Sequence, residues 1–182
     1  EINADFAIAD GHKSLLSAEG LGIFYVRKQV MDKLQVLQYG WHMVNQLSDY
    51  TAQKFELAET AKRFECGSPN MLGIHAMDAS IQLLLDIGMD DIGGRVISNS
   101  QFLIEQLRSI NNIKVLSNTS EQRLSGIVTF RSQKMANEEL YQYLSAKQIL
   151  CAPRGGGIRL SPHFYTPREQ LEELVTIIKG IS

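Results

Sequence analysis

Asp10-Gly11-His12-Lys13, followed after six residues by Gly20-Leu21-Gly22, sits between two apolar runs, Phe6-Ala7-Ile8-Ala9 and Ile23-Phe24-Tyr25-Val26. The runs read as strands, so a lysine and three glycines occupy the connection between them. Chemistry is commonly mounted at strand ends. A lysine held there by short connections can be desolvated, which lowers its pKa and leaves a neutral amine able to attack an aldehyde. On residue type alone, a lysine beside a histidine reads first as a solvated surface lysine.

The chain has 182 residues, of which 44% are hydrophobic and 21% charged, enough for one large or two small domains. The formal net charge of -2 and the absence of a basic stripe interleaved with aromatics argue against nucleic acid as a partner and toward a small substrate. Cys66 and Cys151 stand far apart in no metal-ligand spacing, which predicts reduced thiols and neither a disulfide framework nor a structural zinc. No apolar run approaches the roughly 20 residues that span a bilayer. Residues 1–5 also lack the basic-then-apolar order of a signal peptide. The expected location is the cytoplasm. The absence of an initial methionine before an early strand reads as a beginning made by cutting.

Residues 32–55 carry no clear period and are expected to be mostly irregular, with Tyr39-Gly40-Trp41-His42 in a turn. From residue 69 to 87 a helix is predicted, with Ser68 as N-cap, Pro69 at the first helical position and Ile74, Met77, Ile81, Leu84 and Leu85 at helical spacing. Its start offers free N–H groups, a hydroxyl and Gly67, the equipment for holding a phosphate, though a plain capped helix would look the same. A second helix follows Asp90-Asp91 and runs out at Asn111-Asn112, with Val96, Leu103, Leu107 and Ile110 on one face. Strands are predicted over 113–116, 124–130, 149–152 and 158–161, and a helix capped by Asn137 over 137–147. Thr166-Pro167-Arg168-Glu169 reads as a capping box opening a last helix that buries Leu171, Leu174, Val175 and Ile178. The chain is expected to divide near residue 89 into an incomplete α/β piece over 1–88 and a small domain over 89–182.

Three stretches carry a family resemblance. Residues 9–24, with Gly-His-Lys and Gly-x-Gly, resemble the pyridoxal-phosphate attachment signature of the class V aminotransferase and cysteine desulfurase superfamily. Arg63-Phe64-Glu65-Cys66-Gly67-Ser68-Pro69-Asn70 resembles the segment whose Gly-Ser/Thr reaches across a dimer to the neighbouring cofactor's phosphate. Gly157-Ile158-Arg159-Leu160-Ser161-Pro162-His163-Phe164-Tyr165-Thr166 resembles the strand whose arginine grips the substrate carboxylate. The resemblance implies an α/β, fold-type I, pyridoxal-phosphate-dependent transferase-like architecture: the end of the large domain followed by the small C-terminal domain.

It also implies roles. Lys13 would form the Schiff base with pyridoxal 5'-phosphate, His12, Gly67 and Ser68 would sit by phosphate, and Arg159 would orient the carboxylate of a small amino acid in a homodimeric enzyme. A guanidinium suits that last role because its planar fork matches a carboxylate, although a surface ion pair with the last helix is the ordinary alternative. Arg154, beside Gly155-Gly156, is a second candidate in either a ligand loop or a tight hairpin. His163 is expected to pack locally, and His42 and His75 have no inferred partner. Asp10 departs from the small hydroxyl residue usual in the desulfurase branch, and a carboxylate there would repel phosphate. Cys151 is the one residue near the place of a desulfurase nucleophile, but its apolar neighbours predict a raised pKa and an inert thiol. An aminotransferase, lyase or epimerase is therefore the reading preferred to a desulfurase. The family's ring-binding aspartate and stacking residue precede the lysine by more than the twelve residues found here, so this polypeptide alone is expected to be catalytically incompetent. The competing reading is a noncatalytic association module in which the motifs survive as fold determinants.

Overall fold

The structure is a computed structural model and describes residues 3–181 apart from 48, 50 and 52. It falls into two compact units, residues 1–86 and 87–182. In the first, β1 (Phe6–Asp10) and β2 (Gly22–Val26) pair antiparallel, with Phe6 opposite Val26 and Asp10 opposite Gly22. Both predicted strands are present, and the lysine lies in the turn that joins them. A four-residue helix α1 (Lys28–Met31) follows. Among the described residues, the predicted irregular stretch is then broken by a 3-10 turn, Trp41–Met43, and an isolated bridge between Val44 and Leu57. Positions 48, 50 and 52 of that stretch lie outside the described residues.

Helix α2 (Met71–Ile87) confirms the predicted helix but not its cap. Asn70, not Ser68, closes the N-terminus: its Oδ1 accepts the Gly73 N–H at 3.0 Å, and its Nδ2 donates to the Gly20 carbonyl at 3.2 Å. All three of Ser68, Pro69 and Asn70 suit a helix start, and the one that also bridges to the β1–β2 connection is the one used. Helical spacing does not bury this helix all round, since Leu72 and Leu85 are exposed along with Ile8 of β1.

The second unit is two-layered. Its sheet has the order β3-β4-β6-β5, all antiparallel, built from β3 (Ile113–Val115), β4 (Val128–Ser132), β5 (Ala152–Arg154) and β6 (Gly157–Leu160). Helices α3 (Met89–Arg108), α4 (Asn137–Ala146) and α5 (Arg168–Lys179) cover one face. Val128, Phe130, Ile158 and Leu160 meet Leu103, Leu107, Leu140, Leu144, Leu171, Leu174 and Ile178 in one buried core. Alternation along each strand then sends Thr129, Arg131 and Arg159 to the other face.

Several boundaries differ from the sequence reading for local reasons. The expected strand over 124–130 begins only at Val128, because Ser125 is engaged on both sides: its carbonyl accepts the Ser100 hydroxyl at 2.7 Å and its own hydroxyl accepts the Ile127 N–H at 3.3 Å. The strand expected over 149–152 is displaced to Ala152–Arg154, since Gln148 takes a left-handed φ of 61° to leave α4. Pro153 is tolerated within β5 because that strand is a sheet edge. Asn137 starts α4 but donates through Nδ2 to the Gly156 carbonyl at 3.0 Å instead of capping its own helix. The predicted capping box of the last helix does not form: the Thr166 hydroxyl accepts the His163 N–H at 3.0 Å, and Pro167 takes the N-cap position.

Phe130 is fully buried at the centre of this core. Phe130→Ala is expected to destabilise the chain by about 3–5 kcal/mol, read as a lowered urea midpoint in far-UV circular dichroism.

Candidate functional site

The lysine turn is fixed by its backbone. The Gly11 N–H donates to the Leu21 carbonyl at 2.9 Å, the Ser17 N–H to the Gly11 carbonyl at 2.9 Å, and the Leu16 N–H to the Lys13 carbonyl at 3.0 Å. Gly11 allows this closure: a Cβ there would lie 2.6 Å from the Met77 Cε and 2.9 Å from the Leu21 carbonyl oxygen. Leu16 holds a φ of 58°, a conformation that branched-chain packing rarely allows and that persists only where its surroundings enforce it. The turn is thus rigid while the side chain it carries is not enclosed. Lys13 is 67% exposed, and its ammonium donates to the Asp10 carboxylate at the end of β1. That hydrogen bond first, and the positive charge second, hold the Asp10 carboxyl below the usual carboxylate range. On the carboxylate side, the pair is formed in the ordinary carboxylate range and is lost as pH falls through the lowered value. His12 is exposed on the same turn.

Gly67 and Ser68 line a second feature, a cavity of about 590 Å³ bounded by Leu21, Phe24, Asn70, Ile74 and Met77. Lys13 is not among its lining residues. Gly67 has open space where a Cβ would stand, and Ser68, released from capping by Asn70, keeps its hydroxyl free among the described residues. The loop is fixed from behind. Arg63 donates through Nε to the Ala58 carbonyl at 2.8 Å and pairs with Asp32 at 2.7 Å. The Cys66 carbonyl accepts the His42 N–H at 3.3 Å, and the Cys66 thiol donates to the Gln38 carbonyl at 3.4 Å. Gly40 is obligatory here, since a Cβ would come within 2.1 Å of the Cys66 carbonyl oxygen. Sequence reading missed this role because Tyr39-Gly40-Trp41 signals only a turn; the contact that demands glycine comes from 26 residues away, and no local signal marks it.

Arg159 belongs to the second unit, on β6, opposite Thr129 on one side and Ala152 on the other. Its Nε is buried with no hydrogen-bond partner, and it makes no ion pair among the described residues. The surface ion pair with α5 is thereby excluded, since α5 lies against the opposite face. Arg154 closes a hairpin: Gly155 and Gly156 have φ values of 63° and 78°, the two left-handed positions of a type I′ turn. His163 packs between Phe164 and Tyr165, stacked on the latter at 5.0 Å, and its Nδ1 has no partner. His42 meets Trp41 edge to face at 5.1 Å, and His75 is exposed on α2. Cys151 is half-buried against the core, and burial pushes its thiol pKa up. No group of three or more metal-ligating side chains occurs among the described residues, and no helix there is long and apolar enough to cross a membrane.

The residues present fit an aldehyde cofactor with a phosphate tail. Lys13 offers an accessible amine on a hydrogen-bonded turn, and Gly67-Ser68 offers a hollow with a free hydroxyl, with open space where a Gly67 Cβ would stand. Asp10 is the discordant group, and its charge is already matched by Lys13.

The chain is similar to proteins of that kind. A probable cysteine desulfurase of Borreliella burgdorferi is 24% identical over 199 aligned positions, which take in 100% of this chain and 46% of the relative. The uncharacterized aminotransferase YcbU of Bacillus subtilis is 27% identical, over 96% of this chain and 45% of the relative. Among solved structures, the apo cysteine desulfurase of Thermococcus onnurineus superposes with a TM-score of 0.87 at 22% identity, covering 99% of this chain and 47% of that one. The cystine C-S lyase C-DES, solved with its product cysteine persulfide, gives 0.85 at 22% identity over 98% and 47%. These likenesses establish the fold, that of type I pyridoxal-phosphate enzymes, and the chain spans about half the length of the curated relatives it matches. The model of the family described as "Aminotransferase class-V" matches residues 1–174, and the chain belongs to that family.

Proposed function

We propose that this chain supplies the lysine and the substrate arginine of a pyridoxal-phosphate enzyme acting on a small amino acid. The observation that carries the reading is Lys13: an accessible amine on a turn whose backbone is fixed by Gly11, next to a carboxylate that keeps it oriented. The cofactor, when bound, supplies an electrophilic aldehyde and a ring that withdraws electrons from the substrate's α-carbon. The chain's residues position and move protons. Lys13 Nζ takes and returns the α-proton, and the Arg159 guanidinium holds the substrate carboxylate in its fork. His12 and the Gly67-Ser68 loop hold phosphate, the latter toward the site of a second subunit in a homodimer. Residues 1–88 stand as the end of the cofactor-binding domain and 89–182 as the small domain. A cytoplasmic location accords with the two free cysteines.

Among the reactions of this family, we place amino-group or α-carbon chemistry ahead of sulfur abstraction. Cys151 supports that order: its thiol is half-buried with a raised pKa, on a short connection between α4 and β5. Desulfuration, the activity named for several relatives, is the second reading and would use Cys151 as nucleophile.

Addition of pyridoxal phosphate to the chain is expected to produce a visible absorbance band that Lys13→Ala lacks. Borohydride reduction should then add the cofactor's mass to the peptide containing Lys13; a band retained in Lys13→Ala overturns the assignment. Gly40→Ala should weaken cofactor retention about tenfold by displacing the Cys66 carbonyl, while the reduced adduct still maps to Lys13. In an assembled enzyme, Cys151→Ala should leave turnover of the preferred substrate within about twofold; its loss by orders of magnitude would establish the desulfurase reading.

A further inference from the structure

The face of the second unit's sheet turned away from its helices carries four cations and no acid. Lys114 lies opposite Arg131 in the β3–β4 register, and Ala152, two positions from Arg154, lies opposite Arg159 in the β5–β6 register. Thr129, two positions from Arg131, lies opposite Arg159 on the other side. Paired residues share a face and alternate residues return to it, so Lys114, Arg131, Arg154 and Arg159 all project away from the core that buries Val128, Phe130, Ile158 and Leu160. Arg131 and Arg154 are the two diagonal neighbours of Arg159, one on each flanking strand, at about 7–8 Å.

The charge is not neutralised within the unit. The acidic residues between 87 and 182 all lie on helices, Asp90, Asp91 and Glu105 on α3, Glu138 and Glu139 on α4, and Glu169, Glu172 and Glu173 on α5, with Glu121 in a 3-10 turn. None of the four cations has a hydrogen-bond or ion-pair partner among the described residues, and the Arg159 Nε is buried without one. Like charges gathered this closely repel, and an anion with two charged ends relieves that repulsion. A single carboxylate occupies one guanidinium fork and leaves the others unmatched.

We propose that this face is built for an amino acid bearing a second acid group. Arg159 takes the α-carboxylate, which rests on the reading given above. Arg131, with Lys114 opposite it and Arg154 on the far strand, takes a distal carboxylate two or three carbons further along. The diagonal spacing suits that length, because each flexible side chain closes part of the gap. The assignment narrows the substrate to an acidic amino acid and separates this chain's chemistry from that of a thiol-bearing substrate, which presents only one carboxylate.

The test is calorimetric binding of glutarate and of butyrate to the 182-residue chain at low salt. Glutarate is expected to bind at least about tenfold more tightly, and the preference should shrink as salt is raised. Arg131→Ala, at an exposed position outside the core, should reduce the preference to within about threefold while leaving butyrate binding unchanged; Lys114→Ala should reduce it in part. Arg159→Ala should weaken both ligands. Equal binding of the two acids by the parent chain, with both lost in Arg159→Ala, overturns the second-acid subsite and leaves the Arg159 reading standing. Binding unaffected by Arg159→Ala overturns both, as does the absence of glutarate binding.

Discussion

The alternation of side chains across one small antiparallel sheet governs the second half of this protein. Val128, Phe130, Ile158 and Leu160 are sent to a face that three amphipathic helices then seal, and the same period of two leaves Thr129, Arg131 and Arg159 on the other side. Apolar burial fixes the strands in register, and a one-residue slip would carry the arginines into the core. Core packing and the placement of the arginines are in this sense one constraint seen from its two faces. The hairpin that ends at Arg154 depends on the same register, with Gly155 and Gly156 supplying the left-handed turn that keeps β5 paired.

The first half relies on close approach instead of a sealed core. Gly11 lets the lysine turn close against Met77 and the Leu21 carbonyl, and Gly40 lets the Cys66–Ser68 loop lie against the preceding turn. Two of the residues expected to contact the cofactor, Lys13 and Ser68, therefore lie on segments whose close approach depends on these glycines. Such positioning costs little folding free energy, because it uses backbone hydrogen bonds that the turns would need in any case.

Elements with a strong period were legible in the sequence: β1, β2, α2, α3 and the last helix all lie within a few residues of where apolar spacing puts them. The lysine turn was legible because its glycines and flanking strands are contiguous. What could not be read was the choice among equivalent polar side chains. Ser68, Thr166 and Asn137 are all competent caps, yet Asn70 serves α2, Thr166 turns back to His163, and Asn137 reaches Gly156. Two of these choices are settled by a partner distant in sequence, Gly20 for Asn70 and Gly156 for Asn137, which local propensity does not contain, while Thr166 turns to a residue only three positions back. The basic face is equally illegible in the sequence, since Lys114, Arg131, Arg154 and Arg159 are spread over 46 residues and converge only through strand pairing.

Trp41 is the sole tryptophan, half-exposed at the start of the 3-10 turn that follows Gly40. Its neighbour His42 donates its backbone N–H to the Cys66 carbonyl at 3.3 Å. The indole is therefore coupled through one peptide unit to the loop that presents Gly67 and Ser68, and excitation at the red edge of its absorption, where the six tyrosines do not absorb, isolates its emission. The molecule carries its own optical gauge of that loop, one that needs no attached dye.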